Sequence, residues 1–98
     1  VAYKLSISDE AALDAADAIA YYESMQTGLK HRFLSKLSDA YYKISTQPEQ
    51  YSFISSKKKN KYRDIKLKSF PYNVIFEING DTIEILSVFN THRNPKYK

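Results

Sequence analysis

The residues of this chain that could do chemistry cluster in two places. The segment Thr91-His92-Arg93-Asn94-Pro95-Lys96-Tyr97-Lys98 holds a histidine, an arginine, two lysines and a tyrosine in eight positions. The ordinary pKa of an imidazole lies near neutrality, so His92 suits proton transfer. A guanidinium presents a planar fork of donors that fits a phosphate, which suits Arg93. Tyr97 offers a ring on which a nucleic-acid base could stack. The second cluster, Ser56-Lys57-Lys58-Lys59-Asn60-Lys61, has no apolar residue and reads as an exposed basic loop, followed closely by Arg63. Lys57, Lys58, Lys59, Lys61, Arg63, Arg93, Lys96 and Tyr97 are therefore the candidate contacts to phosphate or to an acidic partner.

Composition excludes several other chemistries. Of 98 residues, 43% are apolar and 14% aromatic, too many for a disordered chain and enough for one domain over residues 1–98 with a single core. There is no cysteine, hence no disulfide framework and no thiolate nucleophile. His31 and His92 are far apart, and no carboxylates cluster at ligand spacing, so no metal site is expected. Two glycines cannot build a phosphate-cradling loop, and no serine sits in a nucleophile-elbow pattern; no cofactor is expected either. With no apolar run of membrane-spanning length and no signal-peptide layout, the expectation is a soluble cytoplasmic domain. The net charge of +4 is uneven, with Asp9, Glu10, Asp14, Asp17 and Glu23 early and most lysines from Lys57 onward.

The elements that must position these groups follow from periodicity. Tyr3, Leu5 and Ile7 alternate with Lys4 and Ser6, as in a half-buried strand. Ser8 is placed to cap a helix whose first turn carries Asp9 and Glu10, where the helix dipole favours negative charge. Leu13, Ala16 and Ala20, with Ala12 and Ile19, predict the buried stripe of that helix, which should stop near Gln26 before Thr27-Gly28. A second helix is predicted from Leu29 to Thr46, with Phe33, Leu37, Ala40, Tyr41 and Ile44 inward and Pro48 closing it. So short a link makes the two an antiparallel hairpin. Three strands follow: Arg63, Ile65 and Leu67 share one face; Tyr72, Val74, Phe76 and Ile78 share another; Asn79-Gly80-Asp81 marks a hairpin. Ile83, Ile85 and Phe89 then alternate in an interior last strand. The predicted fold is α+β, ordered β-α-α-β-β-β, with the helical hairpin on one face of a mainly antiparallel twisted sheet. Arg63 falls in phase with Ile65 and Leu67. It should pair with a carboxylate such as Asp64 or Glu77, or reach past the sheet edge into a cleft.

The run YRDIKLKSFPYNVIFEINGDTIEILSVFNTHRNP, Tyr62 to Pro95, resembles the second half of the RelE/ParE superfamily of bacterial toxin–antitoxin toxins. The shared features are an arginine opening a strand (Arg63), the Phe70-Pro71-Tyr72 start of the next, the Asn/Asp/Gly hairpin, an aliphatic strand and the His92-Arg93-Asn94-Pro95 ending. The front half agrees in kind, with a short strand, an alanine-rich helix, the Tyr21-Tyr22 pair and a second helix ending at Pro48.

The resemblance implies a toxin neutralised by a cognate antitoxin in a hetero-oligomer, the antitoxin filling the groove between helices and sheet and burying basic surface. It offers two targets. Toxins that look like ParE poison DNA gyrase without hydrolysis and carry a long helical hairpin, which this chain shares; gyrase is the leading expectation. The alternative is ribosome-dependent cleavage of mRNA without metal, for which Arg63 and Arg93 would supply fixed positive charge and His92 the acid–base group. The ending segment is expected beside the strand that Arg63 opens. A third possibility is a non-toxic nucleic-acid-binding module, using the basic loop and ending for phosphate with Tyr62 and Tyr97 for stacking.

Overall fold

A computed structural model describes residues 3–54 and 61–92. The chain runs β1 (Lys4–Ile7), α1 (Asp9–Met25), α2 (Leu29–Thr46), a 3₁₀ turn (Pro48–Gln50), β2 (Arg63–Lys66), β3 (Tyr72–Asn79) and β4 (Thr82–Asn90). The sheet order is β1-β4-β3-β2. β1 lies parallel to β4, and the other two pairs are antiparallel. The two helices pack on one face of this mixed sheet, in agreement with the α+β, β-α-α-β-β-β expectation.

Local chemistry explains the boundaries. Ser8 accepts a hydrogen bond from the Ala11 N–H at 3.0 Å, and Asp9 and Glu10 fill the first turn of α1. Gly28, at φ 89°, makes the reversal into α2 that a Cβ would strain. Gly80 has φ 61° in the two-residue loop between β3 and β4, the conformation that a type II′ hairpin turn needs at its first central residue.

The buried stripe of α1 differs from the one its leucine suggests. Ala11, Ala18 and Tyr22 are buried with Ala15 and Ile19 packed beside them, whereas Leu13 is 66% exposed. Alanines let the helix axis approach the sheet closely, and a leucine in that stripe would hold it away. At the far end Tyr22 enters a ring cluster, with centroids 5.4 Å from Phe33, 5.0 Å from Phe70 and 6.2 Å from Tyr72. These tilted and edge-to-face contacts join α1, α2 and the β2–β3 connection in one aromatic core. In α2 the inward residues are as the periodicity predicts: Phe33, Leu37, Ala40 and Ile44 are buried, with Tyr41 at the margin.

β4 carries the second departure. Its register against β3 runs Val74↔Val88 and Ile75↔Ser87, then Phe76↔Ile85, so Leu86 is an extra residue in a β-bulge. The bulge shifts the side-chain phase by one. Val88, rather than Phe89, shares the core face with Ile83 and Ile85, because Val74, Phe76 and Ile78 opposite them lie on one face of β3.

Backbone groups that β4 turns away from β3 around the bulge are satisfied by Ser8 at the start of α1 and by Asp14 within it. Ser8 donates from its backbone N–H to the Ile85 carbonyl at 2.9 Å and from its hydroxyl to the Leu86 carbonyl at 3.0 Å. Asp14 Oδ2 accepts from the Val88 N–H at 3.0 Å and from the Ser87 hydroxyl at 2.9 Å. Replacing Asp14 by alanine strands both donors in a partly buried place. We expect a loss of about 1–3 kcal/mol in urea unfolding, with a smaller loss for Asp14→Asn, which retains one acceptor oxygen.

Burial, reinforced by the neighbouring Tyr72 and then Tyr21 hydroxyls, pushes the Tyr22 phenol up to about 12. Burial followed by the charge of Asp14 does the same for Tyr41, also to about 12. A raised phenol pKa means the fold holds these groups protonated beyond the unfolded value of 10.0. Their contribution to stability is therefore complete below that value and is lost as pH rises through the folded one. Denaturation midpoints should fall between pH 10 and pH 12, and Tyr22→Phe should flatten part of that fall; a wild-type midpoint constant across the interval would contradict the assignment.

Candidate functional site

Of the contact and catalytic candidates, Lys61, Arg63 and His92 fall among the described residues. Lys57, Lys58, Lys59, Arg93, Lys96 and Tyr97 lie outside them.

Arg63 starts β2 on the helix-bearing face, opposite Phe76. Its Nη1 donates to the Tyr51 carbonyl at 2.8 Å and to the Glu49 carbonyl at 3.3 Å. Its Cζ lies 4.1 Å from the centre of the Phe53 ring, and Phe53 also forms an antiparallel bridge with Arg63. These described partners are backbone acceptors and an aromatic face, rather than the Asp64 or Glu77 carboxylate or an open cleft. The arginine ties the turn after α2 to the sheet edge, using its donors on carbonyls and its flat face on the ring.

Lys61 is turned to the other face of the sheet. Its Nζ is 3.6 Å from Oε2 of Glu77, which is nearly buried. Glu77 and Glu84 are cross-strand partners and would repel. Asn79 joins them by donating from Nδ2 to Glu77 Oε1 at 3.0 Å and to Glu84 Oε1 at 2.7 Å.

His92 is exposed just past β4, its backbone N–H donating to Asn90 Oδ1 at 2.9 Å. The structure does not bring it to Arg63. β3 stands between β2 and β4, so His92 is not beside the strand that Arg63 opens. The Thr91 N–H donates to the Pro71 carbonyl, which sets His92 level with Phe70 while Arg63 is level with Phe76. At ~3.3 Å per residue the two side chains start about 20 Å apart along the strands.

What the structure does assemble is a groove of about 770 Å³ between α1 and the end of β4. Glu10, Asp14, Asp17, Tyr21 and Met25 line it from α1, Pro71 and Tyr72 from below, and Ser87 to Asn90 with His92 from the other side. Asp14 spans it, through its bonds to Ser87 and Val88. A groove between helices and sheet was expected, but with basic walls. Its carboxylates come from the N-terminal half of α1, with Glu10 in the first turn, where the helix dipole favours it. Tyr21 and Met25, 55% and 59% exposed, continue the same stripe at the groove's outer end. The sequence does hold the signal: positions 10, 14, 17, 21 and 25 lie on one helical face. Reading Leu13 as inward turned that face the wrong way. Among the described residues no group of His, Asp and Glu is placed to hold a metal ion, and no helix is long and apolar enough to cross a membrane.

Comparison with known proteins accords with this frame. A family model described as the ParE toxin of the type II toxin–antitoxin system, parDE, matches residues 5–95. No curated protein matches the sequence. Among solved structures, a chain of the chromosomal ParDE toxin–antitoxin system from P. aeruginosa superposes with a TM-score of 0.71 at 20% identity, covering 90% of this chain and 95% of that one. The isolated E. coli RelE toxin superposes with a TM-score of 0.51 at 17% identity, covering 98% of this chain and 92% of the other. At such identities the two structures speak for the fold. The family match, running from the first strand through the basic ending on that same fold, carries the assignment: the chain belongs to the ParE toxin family of type II toxin–antitoxin systems.

Proposed function

We propose that this chain arrests bacterial growth by binding DNA gyrase without hydrolysing a substrate, and that a cognate antitoxin holds it in check. Membership of the family implies the antitoxin. The choice between gripping and cutting rests on one observation, the separation of Arg63 from His92. Metal-free RNA cleavage needs a base, fixed positive charge and an acid around a single phosphodiester, each within hydrogen-bond reach. Side chains that start about 20 Å apart along the strands do not converge on one phosphate. Nη1 of Arg63 is moreover engaged by the Tyr51 and Glu49 carbonyls. Both facts support a toxin that works by contact.

Induced alone in bacteria, the chain should stop growth, and co-expression of the neighbouring antitoxin gene should restore it. The purified protein should block supercoiling by gyrase and leave mRNA on translating ribosomes intact. Cleavage of that mRNA at the ribosomal A site would overturn the gyrase assignment in favour of a ribosome-dependent nuclease. Salt-sensitive nucleic-acid binding without growth arrest would overturn the toxin activity itself.

Arg63→Lys separates a structural arginine from a working one. Lysine cannot bridge two carbonyls while lying flat on Phe53, so stability should drop by about 1 kcal/mol in urea titration. Supercoiling inhibition should persist at a temperature where the variant is folded. Unchanged stability with lost inhibition would place Arg63 in the contact surface instead.

A further inference from the structure

The face of the helical hairpin turned away from the sheet carries apolar side chains that the fold does not cover. At ~3.6 residues per turn, Leu13 and Ala20 stand on the side of α1 opposite the buried Ala11, Ala18 and Tyr22. Tyr42 stands opposite the buried Phe33, Leu37, Ala40 and Ile44 of α2. Leu13 and Tyr42, 66% and 70% exposed, are the most exposed large apolar residues among those described. Lys30 reaches across to Glu23 of α1, so Leu34, four residues on, lies on that same inner side of α2. The exposed Ala16, Ala20 and Ser38 fill the space between with small side chains. Tyr22 meets Phe33 with ring centres 5.4 Å apart. Counting equally back from Tyr22 and onward from Phe33 brings Leu13 level with Tyr42 and Asp17 level with Ser38.

Charge is split between the two helices. α1 carries Asp9, Glu10, Asp14, Asp17 and Glu23 and no lysine or arginine, whereas α2 carries Lys30, Arg32, Lys36 and Lys43 against Asp39 alone. Asp17 lies on the groove edge of α1, away from the Glu23–Lys30 contact. Arg32, Lys36 and Lys43 form one stripe along the far edge of α2, with Asp39 among them. Among the described residues, Asp17, Arg32, Lys36 and Lys43 make no ion pair. The face thus reads acidic edge, apolar centre, basic edge.

Such a face complements itself about one two-fold axis and repels itself about another. With the axis parallel to the helices, α1 of one copy lies antiparallel over α2 of the other, acidic edge on basic edge, and Leu13 meets Tyr42 twice. With the axis across the helices, α1 meets α1 and acid faces acid. Helices of 17 and 18 residues make a face about 26 Å long and about 20 Å wide, hence about 1,000 Å² buried over both copies. That is the low end for a specific interface and suits a dimer in exchange with single chains.

We propose that two copies of this chain associate through these faces about an axis parallel to the helices, Leu13 of each packing on Tyr42 of the other and Asp17 of each lying beside Lys36 of the other. The inference uses only the free chain and stands apart from the toxin reading.

Sedimentation of the purified chain should show its mass rise from 11.4 kDa toward twice that value as concentration is raised. Leu13→Lys should weaken association about tenfold or more, with the thermal midpoint in dilute solution unchanged because the side chain is exposed there. Asp17→Lys alone sets lysine on lysine, and Lys36→Glu alone sets carboxylate on carboxylate, so each should stay single where the wild type pairs. Mixed in equal amounts, the two variants should form a one-to-one pair, since every contact then joins a lysine to a carboxylate. A mass of 11.4 kDa at every concentration would overturn the proposal. Equal association of Leu13→Lys and wild type, or variants that do not pair on mixing, would overturn it too. A chain that stays single yet loses growth arrest through Leu13→Lys would overturn it in favour of the target occupying this face.

Discussion

The clamp that α1 places on β4 is the contact on which the rest of the molecule depends. β1 pairs with β4 only as far as Ile85, so just beyond it β4 turns carbonyl and amide groups outward that no described strand takes. Unpaired in a half-buried place, each would cost about 1–3 kcal/mol. Ser8 and Asp14 take them, and both belong to the start of one helix. That arrangement fixes where α1 begins, how it is rotated and how far it lies from the sheet. The rotation turns Ala11, Ala15 and Ala18 inward, and the small side chains then permit the close approach that the Asp14 bond length demands. Rotation also decides what α1 shows to the outside, so the acidic stripe and the exposed Tyr21 and Met25 follow from the same clamp.

Arg63 does for the other end of the sheet what Asp14 does for β4. The chain leaving α2 through Pro48–Gln50 carries carbonyls that would otherwise rely on water. The guanidinium gathers two of them and stacks on Phe53, binding the turn to the edge strand β2. A charged side chain on the apolar side of a strand is costly unless partnered, and these partners offset the cost. The residue looked functional in the sequence for the very reason that it is structurally constrained. Phase can reveal that an inward arginine needs partners; it cannot say whether they are a substrate's phosphate or the protein's own carbonyls.

Element order, helix limits, caps and hairpin were legible because each rests on chemistry within a few residues: Ser8 before Asp9 and Glu10, Gly28 at the reversal, Pro48 after Thr46, Gly80 in the turn. Two features were not, and for related reasons. Periodicity locates a helix's apolar stripe by hydrophobicity, so one leucine at position 13 outweighed three alanines. Packing against a sheet instead rewards small size, and Leu13 is left 66% exposed. On β4 the strict alternation that links Ile83, Ile85 and Phe89 assumes an unbroken ladder. The bulge that moves Val88 inward is a break in the pairing with β3, which no local pattern in the strand announces. The acidic wall of the groove was not legible as a consequence. Its wall consists of the residues that a misjudged helix rotation assigns elsewhere.

The fold therefore divides its charge by how each region is built. Asp9 and Glu10 occupy the first turn of α1, where the helix dipole stabilises them, and Asp14 a turn further on is needed as a backbone acceptor. Two described cations at the β2 end of the sheet are held as well, Arg63 by carbonyls and Lys61 at 3.6 Å from Glu77. A polar face whose charges are already partnered by the protein is suited to orienting a macromolecular surface more than to driving a proton transfer, because redirecting any one of those groups toward a substrate would expose the partner it leaves. The groove differs in this respect. Asp14 is engaged there, while Asp17 and the aromatic end at Tyr21 are exposed. β1 ends its pairing at Ile85 because Ser8 turns the chain into α1, so the cap that starts the helix also leaves β4 uncovered beyond that point among the described residues.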